Sequence, residues 1–119
     1  MRKDLLFVGS SRKELRAMPE KIKDVFGAAL LDAQYGEWPV GARRFGEGLP
    51  GTVAKLVDDH DGDTYRAAFT VAFPECVYLL HVFQKKSHFG SATPPHIIRT
   101  IRDRLRTAAS HYEAHYGKT

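Results

Sequence analysis

TVAKLVDDHDGDTYRAAFTVAFPECVYLLHVFQ, residues 52–84, is the stretch on which the fold turns. It separates into three runs, 52–58, 64–73 and 76–84, each rich in β-branched and aromatic residues. Such side chains suit a pleated, half-buried surface, so each run is expected to be a strand. Residues 59–63 join the first two, and they contain Asp61-Gly62. Asp-Gly is a strong hairpin signal because a type I′ turn needs positive φ at both central residues. Pro74-Glu75 makes the second turn. The three strands therefore form an antiparallel meander.

Working outward, residues 4–8 (DLLFV) read as a short strand. Ser10 or Ser11 is placed to cap a helix over 12–17, with Glu14 in the position of a capping-box acid. Pro19 suits the first turn of a second helix. Along it Ile22, Phe26, Ala29, Leu30 and Ala33 recur at helical spacing, and Gly36 is a natural stop. Residues 37–51 hold Pro39, Gly41, Gly46, Gly48, Pro50 and Gly51 and are expected to be an irregular connection. After a loop over 87–95, Thr93 is expected to cap a last helix that starts at Pro94. Ile97, Ile101, Leu105, Ala108 and Tyr112 line one side of that helix, with Arg99, Arg102 and Arg106 opposite. The fold class is α+β: an antiparallel sheet packed against an N-terminal helical hairpin, with a C-terminal helix, in one domain over 1–119.

The 119 residues are 43% hydrophobic and 27% charged, as in an ordinary globular domain, which excludes a disordered chain. No apolar run approaches the roughly 20 residues of a membrane span, and the apolar stretch of residues 5–8 is too short for a signal-peptide core. No membrane partner is expected, and the expected compartment is the cytoplasm. Cys76 is the only cysteine, so neither an internal disulfide nor a cysteine metal cluster can form. It lies in an apolar run with nothing nearby in sequence to activate it, and reads as a buried, inert thiol. The net charge of +4 permits an anionic partner such as nucleic acid.

Strand side chains alternate between faces. Tyr65, Ala67 and Phe69 share one face of the second run, while Arg66, Ala68 and Thr70 share the other. In the third run Val77, Leu79, His81 and Phe83 go together, opposite Tyr78, Leu80, Val82, Gln84 and Lys86. One register gathers Lys55, Arg66, Gln84 and Lys86 on a single face, and a slip of one residue breaks the gathering. Such a cluster suits RNA cleavage by the 2′-hydroxyl. Arg offers a permanently charged fork for phosphate oxygens, and a lysine crowded by cations has a lowered pKa that fits it for proton transfer. No metal or other cofactor is required. The plainer reading of the same residues is a solvated strand face, and Arg99, Arg102 and Arg106 read first as a solvated helix face that also suits rRNA phosphates. His81 reads either as a hydrogen-bonded core histidine or as an RNA contact. Phe83 and Phe89 have the rings to stack on bases, with core packing the plainer role for Phe83. His111 and His115 have the spacing of a metal pair but no third ligand nearby in sequence.

A larger pattern joins these residues. Lys55-Leu56, then residues 58–66 ending in Tyr65-Arg66, then residues 80–87 with His81, Phe83, Lys85, Lys86 and Ser87, then Thr93-Pro94, together resemble the phage-related Gp49-like branch of the RelE/ParE toxin superfamily, often called HigB-like. The resemblance covers nearly the whole chain. It implies a RelE-like fold and a role as the toxin of a type II toxin–antitoxin pair. It further implies a metal-independent mRNA endoribonuclease that works on the ribosome and inhibits translation. By that resemblance Arg66 stabilises phosphate, Lys55 transfers a proton or contacts phosphate, and Lys86 or Lys85 stabilises the leaving group. His81, Gln84, Ser87, Arg99 and Arg102 are the expected RNA contacts. The implied partners are the ribosome with its mRNA and a cognate helix-turn-helix antitoxin in a toxin–antitoxin hetero-oligomer. Relatives often add a catalytic tyrosine near the C-terminus, but Tyr112 lies on the apolar stripe, so neither it nor Tyr116 takes that role and the general base stays open. Two other readings share the fold: a ParE-like inhibitor of DNA gyrase, and an inactive phage-derived module that only binds an antitoxin.

Overall fold

β3 (Val53–His60), β4 (Asp63–Thr70) and β5 (Cys76–Lys85) form the expected antiparallel meander in the computed structural model, which describes residues 1–85 and 92–117. Asp61 and Gly62 turn the chain between β3 and β4 at φ 51° and 81°, the backbone that Asp-Gly favours. β4 stops at Thr70, short of the expected Phe73. There the Thr70 hydroxyl donates to the Thr52 carbonyl at 2.8 Å and accepts from the Ala72 N–H at 3.2 Å, which turns the chain out of the ladder. The connection to β5 is correspondingly longer than Pro74-Glu75.

Two further strands extend this sheet. β1 (Asp4–Phe7) lies parallel to β5, and β2 (Arg43–Arg44) lies antiparallel to β3, giving the order β1-β5-β4-β3-β2. The sheet is therefore mixed, not antiparallel throughout. β2 falls inside the stretch expected to be irregular, and two residues are too few to show an alternation.

α1 (Ser11–Arg16) and α2 (Glu20–Gln34) make the N-terminal hairpin, with Pro19 as N-cap of α2 rather than inside its first turn. Ile22, Phe26 and Leu30 are fully buried against Leu56, Ala67, Phe69 and Leu79 on one face of the sheet. Gly36, at φ 83°, ends the helix in the left-handed conformation that only glycine adopts without strain. α3 (Pro95–His115) covers the opposite face. Its Ile101 and Ala108 are buried with Phe45, Val53, Ala68, Tyr78 and Leu80, and Ile97, Leu105 and Tyr112 pack around them as the stripe requires. Pro94, not Thr93, is the N-cap, and Thr93 is engaged elsewhere. Cys76 is fully buried, and burial pushes its thiol pKa up, as befits an unreactive cysteine. Among the described residues no helix is long and apolar enough to cross a membrane.

Phe26 joins α2 to the sheet at the centre of the first core. Phe26→Ala is expected to cost about 3–5 kcal/mol, read as a lower urea midpoint with an unchanged denaturant slope.

Candidate nucleic-acid interface

The site face is set by an irregularity in β5. Ala68 pairs with His81 but Phe69 pairs with Leu79, so Leu80 is an extra residue on β5. A bulge of this kind exchanges the two faces for the rest of the strand. Val77 and Leu79 belong to the α2-side core, Leu80 turns to the α3 side, and beyond it Val82 is on the α2 side and Phe83 on the α3 side. Gln84 pairs with buried Tyr65 of the α2-side core and shares its face. The expected gathering of Lys55, Arg66, Gln84 and Lys86 is thus corrected: Gln84 leaves the group and Lys85, paired with Thr64, joins it. Lys86 and Ser87, like His88 and Phe89, lie outside the described residues.

β1 pairs with β5 only as far as Leu79, so beyond it that edge of β5 has no strand neighbour, and a half-buried cluster takes up its backbone groups. Glu14 of α1 accepts the Val82 N–H at 3.1 Å and the His81 Nδ1–H at 2.8 Å. Arg104 of α3 donates to the Leu80 carbonyl at 2.9 Å and pairs with Glu14 at 2.9 Å. Ser10 donates to Glu14, so the expected capping-box acid serves β5 instead of its own helix. Gly9 makes room for this. It sits at φ 55°, and a Cβ there would meet Arg104 Nε at 2.9 Å. Burial by itself would raise the pKa of Glu14. The hydrogen bonds from His81, Val82 and Ser10 outweigh burial and hold the pKa down at about 2. His81 is buried, its ring held by Glu14 and stacked on Phe83 at 5.1 Å between centroids, so it supports the strand from inside.

On the α3 face the cations converge. Arg43 pairs with Lys55, Lys55 with Ala68, and Arg66 with Phe83 across neighbouring strands. Lys55 Nζ lies 5.4 Å from the centre of the Phe45 ring. Its pKa is lowered by burial and by the nearby Arg66, Arg43 and Lys85, against an opposing pull from Glu47. Arg66 is only 8% exposed, and its Nη1 donates to Thr93 Oγ1 at 3.3 Å. Among the described residues its Nε has no partner.

Glu47 faces these cations, and the sequence reading passed over it. Burial alone would raise its pKa. The Thr93 N–H and hydroxyl, both donating to the carboxylate, together with Lys55 and Arg66 bring it below the usual carboxylate value. Its backbone is left-handed at φ 54°, between Gly46 at 74° and Gly48 at 82°. A non-glycine residue there costs about 1–2 kcal/mol. The flanking glycines were the one sequence signal for this loop.

Arg99 and Arg102 are exposed and line, with Glu47, Thr93, Pro95 and Ile98, an open groove beside the cations. Arg102 is tied to the Gly48 carbonyl at 3.0 Å, and Arg106 points away to Asp103. Tyr112 donates to Glu75 and Tyr116 to Asp4, at the opposite end of α3 from Thr93. His111 is engaged by the Tyr78 hydroxyl at 2.7 Å.

With this geometry in place, residues 13–106 match the family described as phage derived protein Gp49-like. The chain belongs to that family. It is a RelE/HigB-like toxin family. The match runs from α1 into α3, so Glu14, Arg104 and the cation cluster of this Gp49-like protein all lie inside it. No curated protein matches the chain.

The low pKa of Glu14 fixes a sign. The carboxylate form is favoured in the folded state, so its contribution is complete above about pH 4.5 and is lost as pH falls through about 2. That contribution is at most about 3 kcal/mol. Urea midpoints taken down this range are expected to fall more steeply for the wild type than for Glu14→Gln, which is less stable at neutral pH and lacks this titration.

Proposed function

We propose that this Gp49-like protein is the toxin of a type II toxin–antitoxin pair, built on a RelE-like fold, that cuts mRNA on the ribosome. In this reading the 2′-oxygen attacks the adjacent phosphorus, a new O–P bond forms, and the bond to the 5′-oxygen breaks. The products are a 2′,3′-cyclic phosphate and a 5′-hydroxyl, and the proton lost by the 2′-hydroxyl is balanced by one gained by the leaving oxygen. Arg66 holds the phosphorane oxygens, Lys55 supplies charge and a proton, and Lys85 with Lys86 stabilises the leaving group. Arg99 and Arg102 hold flanking phosphates.

Arg66 carries this reading. A guanidinium so nearly buried is costly unless something compensates its charge, and its face also carries Lys55 and Lys85. Positive charge fixed in advance where negative charge develops is usually the largest catalytic contribution. The lowered pKa of Lys55 fits proton transfer. A cognate helix-turn-helix antitoxin is the expected partner, covering the basic face with acidic side chains or a docked helix.

Mapping of mRNA 5′ ends after brief induction tests the proposal. New cuts in translated regions, in codon register, are expected for the wild type. Arg66→Ala is expected to lower cleavage by about 10²–10³-fold while still binding antitoxin. Growth arrest without new cuts would favour the gyrase-inhibitor reading, and neither cuts nor arrest a binding-only module.

A second measurement concerns Lys55. If its ammonium is the working form, cleavage in a reconstituted ribosome assay falls as pH rises through its lowered pKa. Lys55→Arg keeps the charge and is expected to move that alkaline limb upward. An unchanged limb would remove Lys55 from proton transfer.

A further inference from the structure

A negative side chain lies beside the converging cations, held by Thr93. Glu47 interacts electrostatically with both Lys55 and Arg66. Thr93 grips it twice, through its N–H and, at 2.7 Å, through its hydroxyl. The same hydroxyl accepts from Arg66, whose Nε has no partner among the described residues. Thr93 is itself 6% exposed, so the donors sit in the body of the protein and the exposed Glu47 reaches onto them from its loop. A carboxylate with two oxygens on an N–H and an O–H, facing an arginine and a lysine, has the charge and the acceptor geometry of a phosphodiester's two free oxygens.

We propose that Thr93 and Arg66 form an oxyanion seat for a phosphodiester of the substrate, and that Glu47 is its displaceable internal occupant. This rests on the nuclease reading only for the identity of the ligand as RNA; the seat itself is a property of the chain. The phosphate takes the Thr93 N–H and hydroxyl, and Arg66 closes on it. Glu47 withdraws toward the open groove that it lines with Pro95, Ile98 and Arg99. The left-handed run of residues 46–48 keeps the loop backbone in place while the side chain moves. Until then Glu47 partly neutralises the cluster and weakens its hold on unselected anions.

The test uses two variants of the whole protein and two probes. Glu47→Gly suits the backbone at φ 54° and empties the seat, while Glu47→Gln keeps the shape without the charge. Inorganic phosphate is followed through the Thr93 amide resonance. Saturation is expected at about ten-fold lower phosphate in Glu47→Gly than in the wild type, with Glu47→Gln between them. Adding Thr93→Val to Glu47→Gly is expected to remove the gain. Equal or weaker phosphate binding in Glu47→Gly would overturn the seat, as would a gain that survives Thr93→Val. A 2′-deoxy oligonucleotide, which cannot be cut, is the second probe and is expected to bind Glu47→Gly about ten-fold more tightly. An oligonucleotide that binds no variant, beside a phosphate titration that behaves as expected, would leave the seat standing as an anion site without RNA as its ligand off the ribosome, with the nuclease reading decided by the 5′-end mapping. A large loss of cleavage in Glu47→Gln without tighter binding would make Glu47 a catalytic base and overturn its role as occupant.

Discussion

Glu14 and Arg104 meet beside the bulge in β5, and together they secure the edge of the strand whose register sets the basic face. β1 ends opposite Leu79, which leaves an N–H and a carbonyl of β5 just beyond it without ladder partners, and a buried orphan of this kind costs about 1–3 kcal/mol. Here the N–H of Val82 goes to Glu14 and the carbonyl of Leu80 goes to Arg104. The acid and the base also neutralise each other at 2.9 Å, so neither is left as an uncompensated half-buried charge. A buried ion pair is by itself weak ground for stability. Its effect here is local: it satisfies the edge of β5 next to the bulge. The pair also ties α1 on one side of the sheet to α3 on the other, through the strand between them.

From the bulge the site follows by geometry. Lys85 comes to the face that carries Lys55 and Arg66, and His81 and Phe83 stack beneath it. Cations on adjacent strands repel one another, and the pKa of Lys55 is lowered by partial burial first and by that crowding second. Such a cluster persists in a folded chain when the rest of the structure over-determines it and an anion offsets part of the charge. Glu47 supplies that anion from a loop of left-handed residues, and Thr93 holds it at the start of α3. The candidate site is thus concentrated where folding energy is least favourable.

The local elements were legible because their causes are local. Alternation in residues 52–84, the Asp61-Gly62 turn and the recurrence of Ile22, Phe26 and Leu30 each depend on side chains within a few positions of one another. Lys55 and Arg66 were legible for the same reason, since their strands run without irregularity from Lys55 to Ala68. Gln84 was misplaced because counting by two assumes an unbroken strand. Glu14 looked like a helix cap because its nearest neighbours allow that role, and its true partner Val82 is 68 residues away. Glu47 and Thr93 were missed as a pair for the same reason, being separated by 46 residues.

The sequence by itself determined the α+β class, the meander, the amphipathic helices and the presence of basic residues on neighbouring strands. Periodicity and turn chemistry act over one element at a time. Tertiary structure alone decided that β1 runs parallel to β5, that Lys85 replaces Gln84 on the basic face, and that Glu47 lies among the cations. Each of these depends on partners far apart in the chain, which only the folded packing brings within hydrogen-bonding distance.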